Sequence, residues 1–459
     1  MSRGFGFMNN KKQRRFAVLA GGLGLAALLG FQVTTAVAEE GAAEGGVAAQ
    51  DAPVSSQEAA VAGDDDSKGP VKFSASQAFA WDNNIFRLPS DYPISRVSKE
   101  KRSDIISTTR LGINFDKQYS RQAFHGGFDV GFARYRTHKD LNSTTPDGKL
   151  RWDWRVGDRW SGVLGYGYND TPVGFDNSYA AVNTDDQKRV MRRLQRSNVS
   201  ADYWWHPDWA TGVGYSDVRA DYHNNERYNK DKYNAQTTSL NVTYRPSTGN
   251  RTVLSLRSET GQYPNRKKKD ELGPGEVSLR DWKRYDLQLS GQWRLTGLTQ
   301  VSGYIGATKR KYDLASNRNF SGWTGKITFH WVPTTKALID LSWRREIGAD
   351  ADLVANYAVS KGWTLQPTWV LTSKVRLGAS YEYLNRDYGG NSGNSPGIGY
   401  LPRDAKTQSY GFNVQYLPLP NANIALSYMN MRRSAKAEVS ESLYNYRART
   451  VYLSGGMTF

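Results

Sequence analysis

The sequence predicts an all-β chain: a transmembrane antiparallel up-and-down β-barrel of about 18 strands, behind a signal peptide and a disordered N-terminal tether. Three observations predict it. Residues 449–459 read R-T-V-Y-L-S-G-G-M-T-F, with Val451, Leu453, Gly455, Met457 and Phe459 on one parity and Thr450, Tyr452, Ser454, Gly456 and Thr458 on the other. The same period-two alternation, one greasy face and one polar, recurs from Val71 onward. Finally, no apolar run beyond the N-terminal segment approaches the roughly 18 to 20 residues of a membrane helix, so any crossing is made by strands.

The last stretch organises the rest. An alternating strand that ends on an aromatic is similar to the closing strand of bacterial outer-membrane barrels, which the assembly machinery reads. In lipid an open sheet edge leaves N–H and C=O groups unpaired at several kcal/mol each, so such a strand implies a closed cylinder.

Residues 1–38 have the three parts of a secretory signal: Lys11, Lys12, Arg14 and Arg15, then the apolar run 16–29, then Ala36-Val37-Ala38. Cleavage is expected between Ala38 and Glu39; an N-terminal anchor helix is disfavoured by the glycines and the shortness of the run. Residues 39–70 are Ala, Gly, Asp and Glu with almost nothing to bury, hence a disordered periplasmic tether. The barrel takes residues 71–459. Cysteine is absent, which excludes disulfides, thiol catalysis and Cys-based zinc sites. The net charge of +17 points to anionic neighbours, namely lipopolysaccharide or acidic polysaccharide. Export of the chain argues against nucleic acid.

The segments follow in order. Val71, Phe73, Ala75, Phe79 and Trp81 form the first apolar face; Ile105, Leu111, Ile113 and Phe115 the second; Phe124, Phe128, Val130 and Phe132 the third. Leu150, Trp152, Trp154 and Val156 meet Trp160, Leu164, Tyr166 and Tyr168 across Gly157-Asp158. Val199, Ala201, Tyr203 and Trp205 meet Trp209, Val213 and Tyr215 across His206-Pro207-Asp208. Leu240, Val242 and Tyr244 meet Leu254 and Leu256 across a turn from Arg245 to Gly249. Tyr285, Leu287, Leu289, Trp293 and Leu295 meet Val301, Ile305 and Ala307 across Thr296-Gly297. Trp323, Ile327, Phe329 and Trp331 meet Ala337, Ile339, Leu341 and Trp343 across Val332-Pro333-Thr334. Val359, Trp363, Leu365, Trp369 and Leu371 meet Val375, Leu377, Ala379, Tyr381 and Tyr383 across Thr372-Ser373-Lys374. Tyr410, Phe412, Val414 and Tyr416 meet Ala422, Ile424, Leu426 and Tyr428 across Pro418-Leu419-Pro420, before the closing strand.

Short turns belong on the periplasmic side and long loops outside, and an even strand count leaves both termini periplasmic. Aromatics beside the short turns, Phe115, Trp160, Trp205, Trp209, Tyr244, Trp331 and Tyr416, with Phe459 at the matching end, read as an interfacial girdle. A soluble β-propeller also alternates, but no blade-length repeat is present.

The polar parity should line a wet interior, since this many strands enclose a channel rather than a packed core. It carries Arg110, Arg151, Arg155, Arg192, Arg196, Arg257, Arg284, Lys326, Arg344 and Arg376, with Asp129, Asp153, Asp202, Asp286, Asp340 and Glu382 among them. Opposed charges stiffen a wall by pairing across strands; the excess of Arg favours an anionic solute. Tyr233, Trp282, Tyr304 and Tyr452 share this parity, where they either offer flat surfaces to sugar rings or fill space. Among the loops, Arg266-Lys267-Lys268-Lys269 is a basic run that either meets lipopolysaccharide phosphates or is solvated. The Gly-, Asn- and Pro-rich stretch 386–405 reads as an exposed loop rather than a constriction.

Three stretches carry a resemblance: Asp82-Asn83-Asn84-Ile85-Phe86-Arg87-Leu88, Phe115-Asp116-Lys117-Gln118-Tyr119-Ser120, and Ala201-Asp202-Tyr203-Trp204-Trp205-His206 with Trp209. On these the chain resembles the EpsL-like outer-membrane proteins of exosortase-B-associated exopolysaccharide biosynthesis clusters, over residues 71–459. The resemblance implies export of a secreted polysaccharide across the outer membrane, with the polymer as substrate and periplasmic or inner-membrane export components as partners. It brings no catalytic residues and no cofactor.

A general or uptake porin for small anionic solutes shares the fold and is the alternative. A rim enzyme needs acids and histidines converging at one outer edge. Of the five histidines, His125 and His330 read as lumen-facing, His206 as turn, and His138 and His223 as near outer loops. Asp221 and His223 share a face, but residues two apart on a strand are roughly 6.6 Å apart and their parity is that of the lipid face. No spacing supports a metal site.

Overall fold

A chain that alternates in period two has one way to satisfy both its apolar face and its backbone in lipid, which is to pair every strand and close the sheet. The computed structural model describes residues 69–175, 187–223, 226–247, 249–272, 280–314, 319–348, 357–389, 404–436 and 445–459. The signal segment, the Ala38/Glu39 cleavage site and nearly all of the tether lie outside the described residues. The strands are β1 (Val71–Asp82), β2 (Asp104–Tyr119), β3 (Gln122–Tyr135), β4 (Ser143–Val156), β5 (Trp160–Pro172) and β6 (Met191–His206). Then come β7 (Trp209–His223), β8 (Tyr233–Ser247), β9 (Asn250–Gln262), β10 (Asp281–Arg294), β11 (Thr299–Tyr312) and β12 (Phe320–Thr334). The last six are β13 (Ala337–Gly348), β14 (Tyr357–Val370), β15 (Val375–Gly389), β16 (Asp404–Leu419), β17 (Ala422–Lys436) and β18 (Tyr446–Thr458).

Each strand pairs antiparallel with its neighbours in sequence, and β1 also pairs with β18, giving one closed 18-stranded sheet. The seam runs from Ser74 opposite Thr458 to Asp82 opposite Thr450. Phe73 and Phe459 exchange backbone N–H···O bonds of 3.2 and 2.8 Å, so the final residue completes the ladder. Short turns lie at the end of the barrel that holds Val71 and Phe459, and long loops at the other. Three short turns place residues in the left-handed region, Ser120 at φ 55°, Gly157 at φ 59° and Gly249 at φ 88°. The last two are the positions where glycine costs least.

Two expectations need correction. The strands are 12 to 16 residues long and extend beyond the alternating apolar rows that mark them in the sequence. β4, for example, begins at Ser143 and takes in Pro146. Above the membrane both faces are wetted, so alternation fades from the sequence while the backbone ladder continues. The proline-bearing turns are also tighter than they read: β12 runs through Pro333 and β16 through Pro418. The register shifts between Trp331 and Thr334, and again between Tyr416 and Leu419. Proline has no N–H to give a ladder, and a bulge accommodates it.

The apolar parity faces outward all round: Leu111, Leu240 and Phe412 are 53%, 47% and 59% exposed. A contiguous apolar belt of this extent is far beyond what a water-soluble monomer shows, and hydrocarbon is the solvent that suits it. The belt is edged by rings. Trp160 with Tyr203 (5.0 Å), Trp205 with Trp209 (5.9 Å) and Trp209 with Tyr244 (4.5 Å) mark the short-turn side. Towards the loops, Trp323 stacks on Trp343 at 5.7 Å and Trp363 meets Tyr381 at 4.9 Å.

Candidate functional site: the inner face and its outer mouth

The inner face is built from the other parity. Arg110 lies opposite Ser76 and Gly131, Asp129 opposite Gly112 and Asp147, and Arg151 opposite His125 and Gly165. Asp153 lies opposite Ala123, Arg155 opposite Ser161, and Asp202 opposite Ser161 and Gly212. Arg192 faces Tyr222, Arg196 faces Val218, and Arg257 lies between Ser239 and Asp286. Arg284 lies between Glu259 and Arg310, Lys326 between Tyr304 and Arg344, and Asp340 between His330 and Gln366. Glu382 lies opposite Thr364 and Ser409, and Arg376 opposite Val370 and Gln415. All share the face opposite the belt.

Some of these charges meet. Arg151 forks onto Asp153 with Nε and Nη2 at 2.7 and 2.6 Å, and His125 lies 2.8 Å from Asp116 and 3.6 Å from Asp153. Arg284 Nε donates to Asp286 at 3.0 Å and to Thr308 at 3.2 Å; Arg344 reaches Glu382 at 2.8 Å; His330 reaches Asp340 at 2.7 Å. Such pairs brace the wall. Arg155, Arg196 and Lys326 form no ion pair among the described residues.

Sequence reasoning passed over several inner residues that the same parity would have found, Glu259 two residues from Arg257 and Arg310 opposite Arg284 among them. Glu259 accepts a 3.0 Å bond from Trp282 Nε1, and the Arg310 guanidinium stands 4.4 Å from the Trp282 ring and 5.1 Å from that of Tyr312.

Trp282 and Tyr233 do not stand in open water. They are buried with Val218, Ala220, Ala235, Tyr263 and Tyr312, because Tyr263 from the β9–β10 loop folds onto them at ring distances of 4.7 and 6.1 Å. Gly261, opposite Trp282, leaves the indole the space that a Cβ would take. Over this arc the inner wall is a packed layer. Of the other two inner rings, the Tyr304 hydroxyl donates to Glu346 at 3.3 Å, and Tyr452 lies opposite Ala80 and Ser427.

The outer mouth is tied by a second cluster. Asp82 accepts from Asn84 N–H (2.7 Å), from Arg87 (2.9 Å) and from Thr450 Oγ1 (3.1 Å). The Asn84 amide donates to the carbonyls of Leu88 (2.7 Å) and Arg447 (3.1 Å). Phe86 and Leu88 are thereby driven into a small core with Ile85, Tyr92, Val97 and Leu141, against which Tyr135 and Phe175 pack. Tyr135, Asp82 and Asp104 belong to the inner parity, so the cluster covers the inner face at the loop end.

His138 is wholly buried at its centre, with Nδ1 2.8 Å from Asp104 Oδ2 and Nε2 2.9 Å from the Ser98 carbonyl. Asp104 also accepts the backbone N–H groups of Thr137 and His138. Gln187 beyond β5 takes the Ser98 N–H at 2.7 Å and donates to the Arg96 carbonyl at 3.1 Å, so three loops are locked together.

The remaining expected loop features change place. His223 lies on β7 with Asp221, both on the outward face; it is 3.5 Å from Asp170, while Asp221 pairs with Lys232 at 2.8 Å. The two form no dyad, since β7 continues as strand and holds them apart. Arg266 of the basic run is committed to its own loop, over the Tyr263 ring at 3.7 Å and onto Asp231 at 3.2 Å. Of the stretch 386–405, the ends belong to β15 and β16 and residues 390–403 lie outside the described residues. Among the described residues no three His, Asp or Glu side chains converge as a metal-binding group.

A sheet closed on itself, apolar outside and charged inside, is the construction that crosses the outer membrane of Gram-negative bacteria. This chain is an outer-membrane β-barrel. No family model matches it, and no curated protein does. Solved structures similar to it include the outer-membrane protein OpdK of Pseudomonas aeruginosa, at 12% identity over 85% of this chain and 99% of that one, TM-score 0.43. OccK2 (OpdF) of the same organism, solved in complex with glucuronate, is similar at 11% identity over 85% and 98%, TM-score 0.47. OccAB3 of Acinetobacter baumannii is similar at 10% over 85% and 99%, TM-score 0.43. Likeness at this level leaves the strand registers as the ground for the architecture.

Proposed function

We propose that the protein is a channel for small anionic, hydrophilic solutes. The observation that carries this reading is the surplus of cationic side chains on the inner parity. Arg155, Arg196 and Lys326 stand on this face and form no ion pair among the described residues. Guanidinium groups take carboxylates and phosphates in a forked geometry, and a ring of fixed cations raises the local concentration of anions while repelling cations. Full-length protein reconstituted in planar bilayers under a KCl gradient should give a reversal potential of the anion-selective sign. Replacing Arg155, Arg196 and Lys326 together by Gln should cut that selectivity several-fold. A wild-type channel selective for cations would sink the reading.

Export of a secreted exopolysaccharide is a second reading, and the resembling stretches support it. Asp82 to Leu88 build the knot at the outer mouth, and the Trp204–Trp205–His206 stretch lies at the short-turn end. Deleting the gene and measuring polymer inside and outside the envelope separates the two readings: polymer retained inside supports export, and unchanged surface polymer removes it.

A further inference from the structure

We propose that the outward side of the long-loop rim binds phosphates of the outer-leaflet glycolipid, through two like-charge pairs that the membrane-facing surface leaves uncompensated. Arg432 lies directly opposite Arg447 across β17 and β18, and Lys283 directly opposite Lys311 across β10 and β11. All four side chains are exposed. By parity they look toward the membrane side: Arg447 continues the row of Val451 and Leu453, and Lys283 that of Tyr285 and Leu287. They therefore stand just beyond the apolar belt, at the height of lipid headgroups.

Elsewhere on this rim several outward cations have carboxylate partners, Arg193 with Asp170 at 3.4 Å, Arg219 with Asp217 at 3.0 Å and Lys361 with Asp387 at 2.9 Å, while Arg134 and Arg345 turn onto the backbone carbonyls of Ser143 and Trp323. Among the described residues the two like-charge pairs have none, nor have Lys309 and Arg449 beside them. Facing like charges in a ladder are unfavourable, so the arrangement is stable only where an anion arrives from outside. At this depth the anion must be carried by lipid. A second feature agrees: below the lysines an apolar groove on the outer wall is lined by Leu240, Leu256, Tyr285, Leu287 and Ala307 and reaches Lys309. An acyl chain laid in it puts the headgroup phosphate at the ammonium groups, and the paired guanidiniums of Arg432 and Arg447 offer forked donors to another.

The test is a titration of the full chain, folded in detergent, with bisphosphorylated lipid A, with the same lipid enzymatically dephosphorylated, and with inorganic phosphate, read by native mass spectrometry. Wild-type protein should bind the bisphosphorylated lipid about tenfold more tightly than the dephosphorylated one. Equal binding of the two lipids overturns the proposal. So does inorganic phosphate displacing the lipid at matched phosphate concentration, which would make the site one for free anions. In the variant K283Q/K311Q/R432Q/R447Q, lipid A binding should fall about tenfold with an unchanged reversal potential. Unaltered affinity in that variant, with its strands still heat-modifiable on a gel, likewise overturns it. Because conduction and lipid binding are read separately, this proposal and that for the channel fail independently.

Discussion

Asp104 and His138 are a pair made by burial. The carboxylate meets three backbone N–H groups, those of Ile105, Thr137 and His138, and the His138 Nδ1, so nearly every lone pair it lost from water is replaced within the knot. Each His138 nitrogen faces an acceptor, and the Phe86 ring closes the site edge-on at 5.0 Å. Removing one partner of such a pair leaves the other buried without compensation, at a cost of about 3–5 kcal/mol. Asp104→Asn should therefore open the knot while the strands stay closed. Hydrogen exchange checks it: amides of residues 83–103 should lose protection and those of β7 to β16 should keep it. A variant with unchanged protection in that loop would show that Asp104 does not hold it.

Strands act through parity, and adjacent residues in one strand have opposite fates. Phe412 faces lipid between Ala379 and Tyr428, whereas Asn413 faces inward between Gly378 and Ser427. An arginine near the bilayer midplane costs about 2–4 kcal/mol, while an inner one meets water and polar neighbours. Phe412→Arg should lose about that much stability in equilibrium unfolding from lipid vesicles, and Asn413→Arg much less. Equal losses would contradict the face assignment. The same parity makes the seam selective: β18 meets β1 in a register that puts Leu453 beside Phe79 and Tyr452 beside Ala80, so a one-residue slip would turn an apolar face into the bore.

For the whole molecule the sign and screening of the inner charge matter. The bore carries fixed guanidinium and ammonium groups, partly neutralised by bracing pairs such as Arg344–Glu382. Its field extends over a Debye length, about 10 Å at 0.1 M salt and about 3 Å at 1 M. Anion selectivity should thus decline steeply as salt rises across that range, with conductance still increasing. Reversal potentials at three salt concentrations would measure this, and salt-independent selectivity would mean discrimination by size alone.

Dyad spacing in the sequence determined the strand count, the outward and inward faces, the short-turn end and the closing role of the final strand. Each follows from a period that local sequence carries in full. Even the inner charges were legible, because Arg257 or Lys326 needs only parity to be placed. Only the tertiary structure decided what covers that face. Asp104 meets His138 from 34 residues away, Asn84 reaches the Arg447 carbonyl across 363, and Tyr263 folds from an aperiodic loop to bury Trp282. Loops have no repeating pattern to read, and partners joined by closure of the sheet lie too far apart in the chain for any window of sequence to relate them.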